Sequence, residues 1–170
     1  MDLYDIEGKK LWEKQIKRLH TAGLAGNAPM VVMTSRQEKD YNDISPNEIR
    51  VIDELGKEVY FKRFSGSEED DHISWIYGTP ELSDDGKYLL FSAQNLYSYC
   101  VNLENEEWWK IKGVSDESDG AWRNNSVSFK GDRVLVSWDR EKRDGELFGV
   151  YDEYSLEGKL IKSYKEKIVW

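Results

Sequence analysis

Apolar and polar positions alternate through the middle of the chain, in short runs separated by turn residues. Four such runs follow one another between Thr79 and Lys112, and the breaks between them include Asp85-Gly86 and Glu104-Asn105. Both dipeptides contain residues that tolerate positive φ, which two-residue hairpin turns require. The pattern therefore predicts a four-stranded antiparallel meander, which is the size of one β-propeller blade.

The second half of that meander recurs along the chain. Four segments share an apolar strand, a turn and a second strand, and their turn residues are Gly8, Gly56, Asn105 and Gly158. These turn residues are 48, 49 and 53 positions apart, close to the blade period of roughly 40 to 50 residues. A further hairpin precedes each complete one, at Leu82–Ala93, at Val127–Trp138 and, more weakly, at Ala22–Arg36.

Two segments also fit a helix, because their apolar residues recur at helical spacing. They are Lys10–Leu19 and Leu160–Ile168. We interpret both as strands, since each occupies the place in the repeat that the β-rich segment Val59–Phe64 holds. The sequence thus predicts an all-β protein, a β-propeller or propeller-like arc of about three and a half four-stranded antiparallel blades.

We expect one domain over residues 1–170, with a partial blade at 1–19, blades at 20–64, 65–112 and 113–164, and a C-terminal stub at 165–170. An open arc has unpaired edges that can pair with another chain, and about four blades is the usual lower limit for a closed ring. The termini could close a small ring, two copies could join, or the chain could belong to a longer propeller. We favour a homodimer of about seven blades.

Two hairpins resemble those of known repeat proteins. The segment Ser83–Ser92 resembles the hairpin of WD-repeat and related propellers, which commonly reads Ser-Pro-Asp-Gly-Lys-Tyr followed by apolar residues. The segment Asp5–Trp12 is similar to the outer hairpin of quinoprotein-like propellers. Two departures are that Asp84 stands where Pro is usual and that Trp138-Asp139 ends an earlier strand of its blade. The resemblance implies the β-propeller repeat superfamily, without an exact family.

Charge narrows the range of partners. The net charge is −9 and the sequence pI is about 4.9, which disfavours direct binding to nucleic acid. This charge permits a basic partner or mimicry of nucleic acid. No apolar run approaches a membrane span in length, and the N-terminus lacks the features of a signal peptide. We therefore expect a cytoplasmic protein that does not bind membranes.

Catalytic and metal-binding signatures are scarce. The sequence has no Gly-rich phosphate loop, nucleophile elbow or zinc-protease helix motif. Two His and one Cys are too few for a zinc site, and Cys100 lies in an apolar run where a small buried residue is expected. We expect no enzymatic activity, no metal and no cofactor. A carboxylate pair for glycoside hydrolysis and a loose calcium site stay open.

Two acidic loops supply the candidate binding residues. In a propeller, the loops from outer to next inner strand and from second to third strand share one face, and here that face collects both acidic loops. Gathered carboxylates attract a cationic partner, and Trp and Arg often dominate binding energy. We assign Trp108, Tyr88 and Phe91 to the core. The candidates are Glu68, Glu69, Asp70, Asp71, His72, Trp75, Asp116, Glu117, Asp119, Trp122, Arg123, Trp138, Asp139 and Arg140.

The sequence therefore predicts a non-enzymatic protein-binding module that uses an acidic loop face to engage a protein partner with a basic patch. One alternative is an inhibitor or immunity-type protein that mimics nucleic acid and blocks the basic cleft of a nuclease. Another is a carbohydrate-binding or carbohydrate-active protein that stacks sugars on Trp rings. Competition with nucleic acid distinguishes the first alternative, and a glycan array or a glycoside panel distinguishes the second.

Overall fold

The computed structural model describes residues 1–4, 7–36, 46–94, 97–112, 126–141 and 147–167. Within these residues the chain forms short β-strands and one 3₁₀ helix at Glu68–Asp70. The strands are β1 (Asp2–Tyr4), β2 (Lys10–Glu13), β3 (Leu19–Leu24), β4 (Val31–Ser35), β5 (Glu48–Ile52), β6 (Glu58–Arg63), β7 (Ile76–Leu82), β8 (Tyr88–Ala93), β9 (Tyr97–Asn102), β10 (Trp108–Lys112), β11 (Ser126–Lys130), β12 (Arg133–Glu141), β13 (Leu147–Ser155) and β14 (Leu160–Lys167).

The strands pair antiparallel and in chain order. β1 and β2 form a hairpin, β3–β6 form sheet I, β7–β10 form sheet II and β11–β14 form sheet III. Each of the three sheets is a four-stranded meander in which every strand lies beside its sequence neighbour. The predicted all-β architecture of four-stranded meanders is therefore confirmed, including the strands expected between Thr79 and Lys112.

The two segments with helical spacing contain strands. Lys10–Glu13 pairs with β1, and Leu160–Lys167 pairs with β13 along its length. The strand interpretation is confirmed for these residues. In both segments, hydrogen bonding to the neighbouring strand outweighs the weak helix preference that the spacing of apolar residues indicated.

The outer turns of the sheets repeat one design. Between β5 and β6, the Asp53 carboxylate accepts hydrogen bonds from the backbone N–H groups two and four residues later, at 3.0 and 2.9 Å. The Ser155 hydroxyl does the same between β13 and β14, at 3.3 Å for both bonds. Gly56 and Gly158 complete these turns with φ of 78° and 83°, a conformation that favours glycine. The regular spacing of turn residues in the sequence thus reflects a repeated set of contacts.

Apolar side chains fill the space between consecutive sheets. The cluster between sheets I and II includes Ile49, Val51, Phe64, Phe91 and Tyr99. The cluster between sheets II and III includes Leu90, Cys100, Ile111, Val134 and Val136. The hairpin covers the other face of sheet I through a cluster of Trp12, Val31, Met33 and Ile52. Burial of these faces supplies most of the driving force for stacking the sheets.

Each outer strand directs one side chain onto the following sheet, and we call these the forward positions. Trp12 on β2 donates its indole N–H to a backbone carbonyl in the outer turn of sheet I, at 3.1 Å. Trp109 on β10 donates to a carbonyl in the outer turn of sheet III, at 2.7 Å. By strand register, Tyr60 on β6 and Lys162 on β14 hold the equivalent positions. The aromatic series therefore ends at sheet III.

The face of sheet III that points away from sheet II is polar. Glu153 accepts hydrogen bonds from Arg133 at 2.9 Å and from the Tyr164 hydroxyl at 3.2 Å. The ammonium group of Lys162 lies 4.1 Å from the centre of the Tyr164 ring. This face lacks the buried apolar cluster that joins sheets I, II and III, among the residues that the structure describes.

Candidate functional site

Even-numbered strands end, and odd-numbered strands begin, at one edge of the arc, which we call the loop edge. The opposite edge, the turn edge, carries the tight turns within the hairpins. The connection between β6 and β7 is described in full and lies at the loop edge. It contains six of the predicted binding residues, namely Glu68, Glu69, Asp70, Asp71, His72 and Trp75.

The other predicted binding residues are not described in full. Five of them lie outside the described residues: Asp116, Glu117, Asp119, Trp122 and Arg123. The backbones of three more pair with β13 near the end of β12, and their side chains lie outside the described part: Trp138, Asp139 and Arg140. The expected meeting of two acidic loops on one face therefore stays a prediction.

Asp70 is bound inside the loop. Its carboxylate accepts hydrogen bonds from the Ser65 backbone N–H and hydroxyl, at 2.8 and 2.7 Å. It also forms an ion pair with Lys62 of β6, at 3.0 Å. Burial alone would raise the pKa of Asp70, but the Ser65 hydrogen bonds and the Lys62 charge outweigh it and hold that pKa below its ordinary value. Asp70 thus attaches the loop to sheet I.

Asp71 attaches the same loop to sheet II. It accepts a hydrogen bond of 2.6 Å from the Tyr99 hydroxyl and lies 2.6 Å from the ammonium group of Lys110. Burial acts to raise the pKa of Asp71, and the contacts with Lys110 and Tyr99 lower it further than burial raises it. The two aspartates therefore stay charged and are compensated by lysines of the outer strands.

Glu68 and Glu69 carry solvent-exposed charge. Both side chains are exposed, and within the described residues neither takes part in an ion pair. His72 is exposed as well, and its carbonyl accepts a hydrogen bond from the Gln94 side chain at 2.7 Å. Trp75 is half-buried, and the Gln94 side chain accepts a bond from its backbone N–H at 3.0 Å. Charge available to a partner at this loop comes from Glu68 and Glu69.

Trp108 is a site residue that the sequence interpretation missed. We assigned it to the core, but the side chain is 41% exposed, so that assignment is wrong. Its indole is the outer end of a row of four aromatic rings, in which Phe64, Phe91, Tyr99 and Trp108 follow one another with centroids 5.6, 5.1 and 5.2 Å apart. Adjacent residues on a strand face opposite sides, so Trp108 and Trp109 could not both face the same sheet.

Trp108 lines two neighbouring hollows beside the loop edge and the outer strands of sheets I and II, of about 150 and 290 Å³. It also borders a hollow of about 550 Å³ between sheet II and the outer turn of sheet III. We define the Trp108 groove by Tyr60, Lys62, Glu69, Glu106 and Trp108, with Glu68 at its loop-edge end. Burial, and then the nearby Glu106 carboxylate, raise the pKa of Tyr60 to about 12. Tyr60 is therefore neutral at physiological pH, and the groove contains both an aromatic surface and carboxylates.

Metal-binding clusters and reactive nucleophiles are scarce among the described residues. They contain no group of three or more His, Cys, Asp or Glu residues arranged to hold a metal ion. Burial raises the pKa of the Cys100 thiol to about 12, so this side chain is not a thiolate nucleophile at neutral pH. Among the described residues there is also no helix with the length and apolar character of a membrane span.

Comparison with known proteins identifies relatives by structure alone. No family model and no curated protein matches the sequence. A eukaryotic initiation factor structure is similar with a TM-score of 0.53 and 15% identity, covering 97% of this chain and 39% of that one. The dihydro-heme d1 dehydrogenase NirN has a TM-score of 0.51 and 12% identity, covering 93% and 39%. U3-55K has a TM-score of 0.50 and 12% identity, covering 91% and 41%.

These similarities agree with the strand topology. The chain spans about two fifths of the length of these three structures, and it has the fold of a partial β-propeller arc. The predicted β-propeller-type fold is confirmed, and the similarities show no family. The similar structures include one named as a dehydrogenase and one named as an initiation factor, so the fold does not by itself specify a function.

Proposed function

We propose that this protein is a non-enzymatic protein-binding module whose loop edge engages a partner with a basic patch. The exposed pair of Glu68 and Glu69 is the observation that carries the proposal. The loop that presents them is bound to sheet I through Asp70 and to sheet II through Asp71. Because these contacts fix the loop, little conformational entropy is lost when a partner docks on it.

The charge of the whole molecule supports the same partner class. A net charge of −9 attracts cations from a distance and raises the rate of encounter with a basic surface. Compensation of Asp70 by Lys62, and of Asp71 by Lys110, leaves Glu68 and Glu69 as the carboxylates that a partner meets at this loop. A basic patch complements them directly.

The test begins with affinity purification and mass spectrometry to obtain an interacting protein, whose affinity is then measured with purified components. The double variant Glu68→Gln/Glu69→Gln removes two exposed charges and leaves the Asp70 and Asp71 contacts in place. We expect it to weaken binding about three- to tenfold at low salt, since each rim charge contributes modestly. We also expect a smaller dependence of affinity on salt concentration.

A matched control removes two exposed charges from the turn edge. Glu54 lies in the turn between β5 and β6, and Asp132 lies in the turn between β11 and β12. The variant Glu54→Gln/Asp132→Asn has the same net charge as the loop-edge variant. An equal loss of affinity in both variants would show that net charge alone matters and would reject the loop edge as the site.

Homodimer formation is a second part of the proposal, favoured by the hairpin. β1 and β2 form two strands where each sheet has four, and the sheet I face behind them carries Leu24, which is 68% exposed. Inner strands from a second copy would cover this residue and pair with the edge of β1 that has no partner strand among the described residues. Sedimentation that detects only a 19.9 kDa species at micromolar concentration would reject the homodimer.

A further inference from the structure

The exposure of Trp108 is a fixed feature of the fold. The indole rests on Tyr99, whose side chain is fully buried and whose hydroxyl donates to Asp71 at 2.6 Å. Behind Tyr99, the rings of Phe91 and Phe64 continue the row into the core. A ring supported in this way presents a rigid aromatic surface to solvent, which is the property of an interface anchor.

The charge around that ring is negative. Two lysines line the hollows, and each is paired with an aspartate: Lys62 with Asp70 at 3.0 Å and Lys110 with Asp71 at 2.6 Å. Three glutamates line the same hollows, namely Glu68, Glu69 and Glu106. Within the described residues none of the three glutamates forms an ion pair, and no cation lies over the Trp108 ring.

At two other places in this protein, an aromatic ring beside a carboxylate binds a cationic side chain of the same chain. Arg50 lies 4.1 Å from the centre of the Phe61 ring and pairs with Glu58 at 2.6 Å. Lys110 lies 4.5 Å from the centre of the Tyr97 ring and pairs with an aspartate. Arg63 also lies near the Phe61 ring, 5.7 Å from its centre. In both places, cationic side chains of the chain itself occupy an aromatic face beside a carboxylate. The Trp108 groove has an aromatic ring and carboxylates, but no cationic side chain of the described residues lies over that ring.

We propose that the Trp108 groove receives a lysine or arginine side chain from an extended segment of the partner. The inference rests on the proposed function and specifies where the basic partner makes its central contact. The cation lies against the indole face, where the ring quadrupole attracts it, and the Glu69 and Glu106 carboxylates accept its N–H groups. Glu68 at the loop edge meets the next basic residue of the segment.

The negative charge of the Trp108 groove disfavours other classes of ligand. Phosphate or carboxylate groups are repelled by the glutamates of the groove, which form no ion pair with the described residues. A neutral sugar gains from stacking on the ring but makes no use of the excess negative charge. A cationic side chain uses both the ring and the carboxylates, so it is the occupant that the groove complements best.

The experiment is a titration of the ¹⁵N-labelled protein with acetylated hexalysine, followed through the indole N–H resonances. Trp108→Phe assigns the resonance of Trp108. We expect this resonance to shift and saturate, while the resonance of Trp12, which is buried on the other face of sheet I, stays in place. Trp108→Leu and Glu69→Gln/Glu106→Gln should each weaken hexalysine binding about tenfold, and Trp108→Phe by less, since Trp is the best cation–π partner.

Phe61→Leu is the matched control, because Phe61 is also about 40% exposed but Arg50 already occupies its face. It should bind hexalysine like the wild type. If Trp108→Leu fails to fold, as judged by its amide spectrum, the glutamate variant carries the test. Backbone shifts at Glu68 and Glu69 with no shift of the Trp108 indole would overturn the inference and leave the proposed function intact. No shift at either place would contradict both.

Discussion

Trp108 and Trp109 are neighbours in the chain but belong to different regions of the molecule. Trp109 lies between sheets II and III, donates its indole N–H at 2.7 Å and contacts Gly158, where an added Cβ would come within 2.7 Å of the ring. Trp108 faces sheet I and is 41% exposed. The Trp109 indole therefore packs between sheets II and III. The Trp108 indole packs against Tyr99 on one side and is exposed to solvent on the other.

Alternation of sides holds in every outer strand. The residue before each forward position lies on the opposite face of its strand, and these backward residues are exposed by 38–46%: Leu11, Val59, Trp108 and Ile161. Three of the four are aliphatic, so packing at a backward position does not require an indole. The large aromatic side chain of Trp108 thus exceeds what the stacking of sheets needs, which supports the binding role that we propose for it.

The comparison predicts its largest effect for alanine substitutions at the two tryptophans. Trp109→Ala removes a half-buried ring and its hydrogen bond, and should lower the free energy of unfolding by about 2–3 kcal/mol. Trp108→Ala should lower it by only about 1 kcal/mol, because much of the side chain is already in water. Urea unfolding followed by circular dichroism measures both. Equal losses would show that the two indoles share one structural role.

A substitution at Gly158 tests the packing of Trp109 against the outer turn of sheet III. Gly158→Ala should lower the free energy of unfolding by about 2–3 kcal/mol, because the new methyl group meets the Trp109 ring and the backbone has a positive φ. Gly8→Ala is the control, since Gly8 has φ of 82° but no atom within 4 Å of an added Cβ. It should cost about 1 kcal/mol. If Gly8→Ala costs as much, the close contact with Trp109 contributes nothing.

Acid should affect the support of Trp108 before it affects Trp109. The pKa values of Asp70 and Asp71 are lower in the fold than their ordinary value of 3.8. Both carboxylates therefore stabilise the fold at neutral pH, and this contribution is lost as pH falls below about 4. Asp71→Asn should cost about 1 kcal/mol or less at pH 7, given solvent screening of its exposed lysine partner. It should also flatten the decline of stability below pH 4, as thermal unfolding across pH measures.

Acid should also move the Trp108 indole resonance at a higher pH than the Trp109 resonance, since Asp71 holds the ring on which Trp108 rests. Simultaneous movement of both resonances would mean that the acid transition is global. In that case Asp71 would have no particular role in fixing Trp108.

The sequence was sufficient for the strand order because that order depends on local features. Turn residues at regular spacing, such as Gly56 and Gly158, predict hairpins, and the alternation of apolar residues predicts their length. The helical spacing in Lys10–Leu19 could not be resolved locally, because pairing with β1 decides it. The propeller-type fold followed from the repeat of these hairpins.

The candidate site depended on contacts between residues far apart in the chain. Asp70 and Asp71 look alike in the sequence to Glu68 and Glu69, and only the positions of Lys62 and Lys110 show that the aspartates are compensated. Alternation along β10 predicts that its two tryptophans face opposite sides. Which side stays open depends on how far the neighbouring sheet extends, and the sequence carries no local signal for that.

The most direct test of the account measures association and dissociation rates of a purified basic partner. Loop-edge carboxylates should act on encounter, and Trp108 should act on the bound state. We expect Glu68→Gln/Glu69→Gln to slow association and flatten its salt dependence, and Trp108→Leu to speed dissociation at nearly unchanged association rate. Rates of both variants equal to those of the wild type would contradict the account.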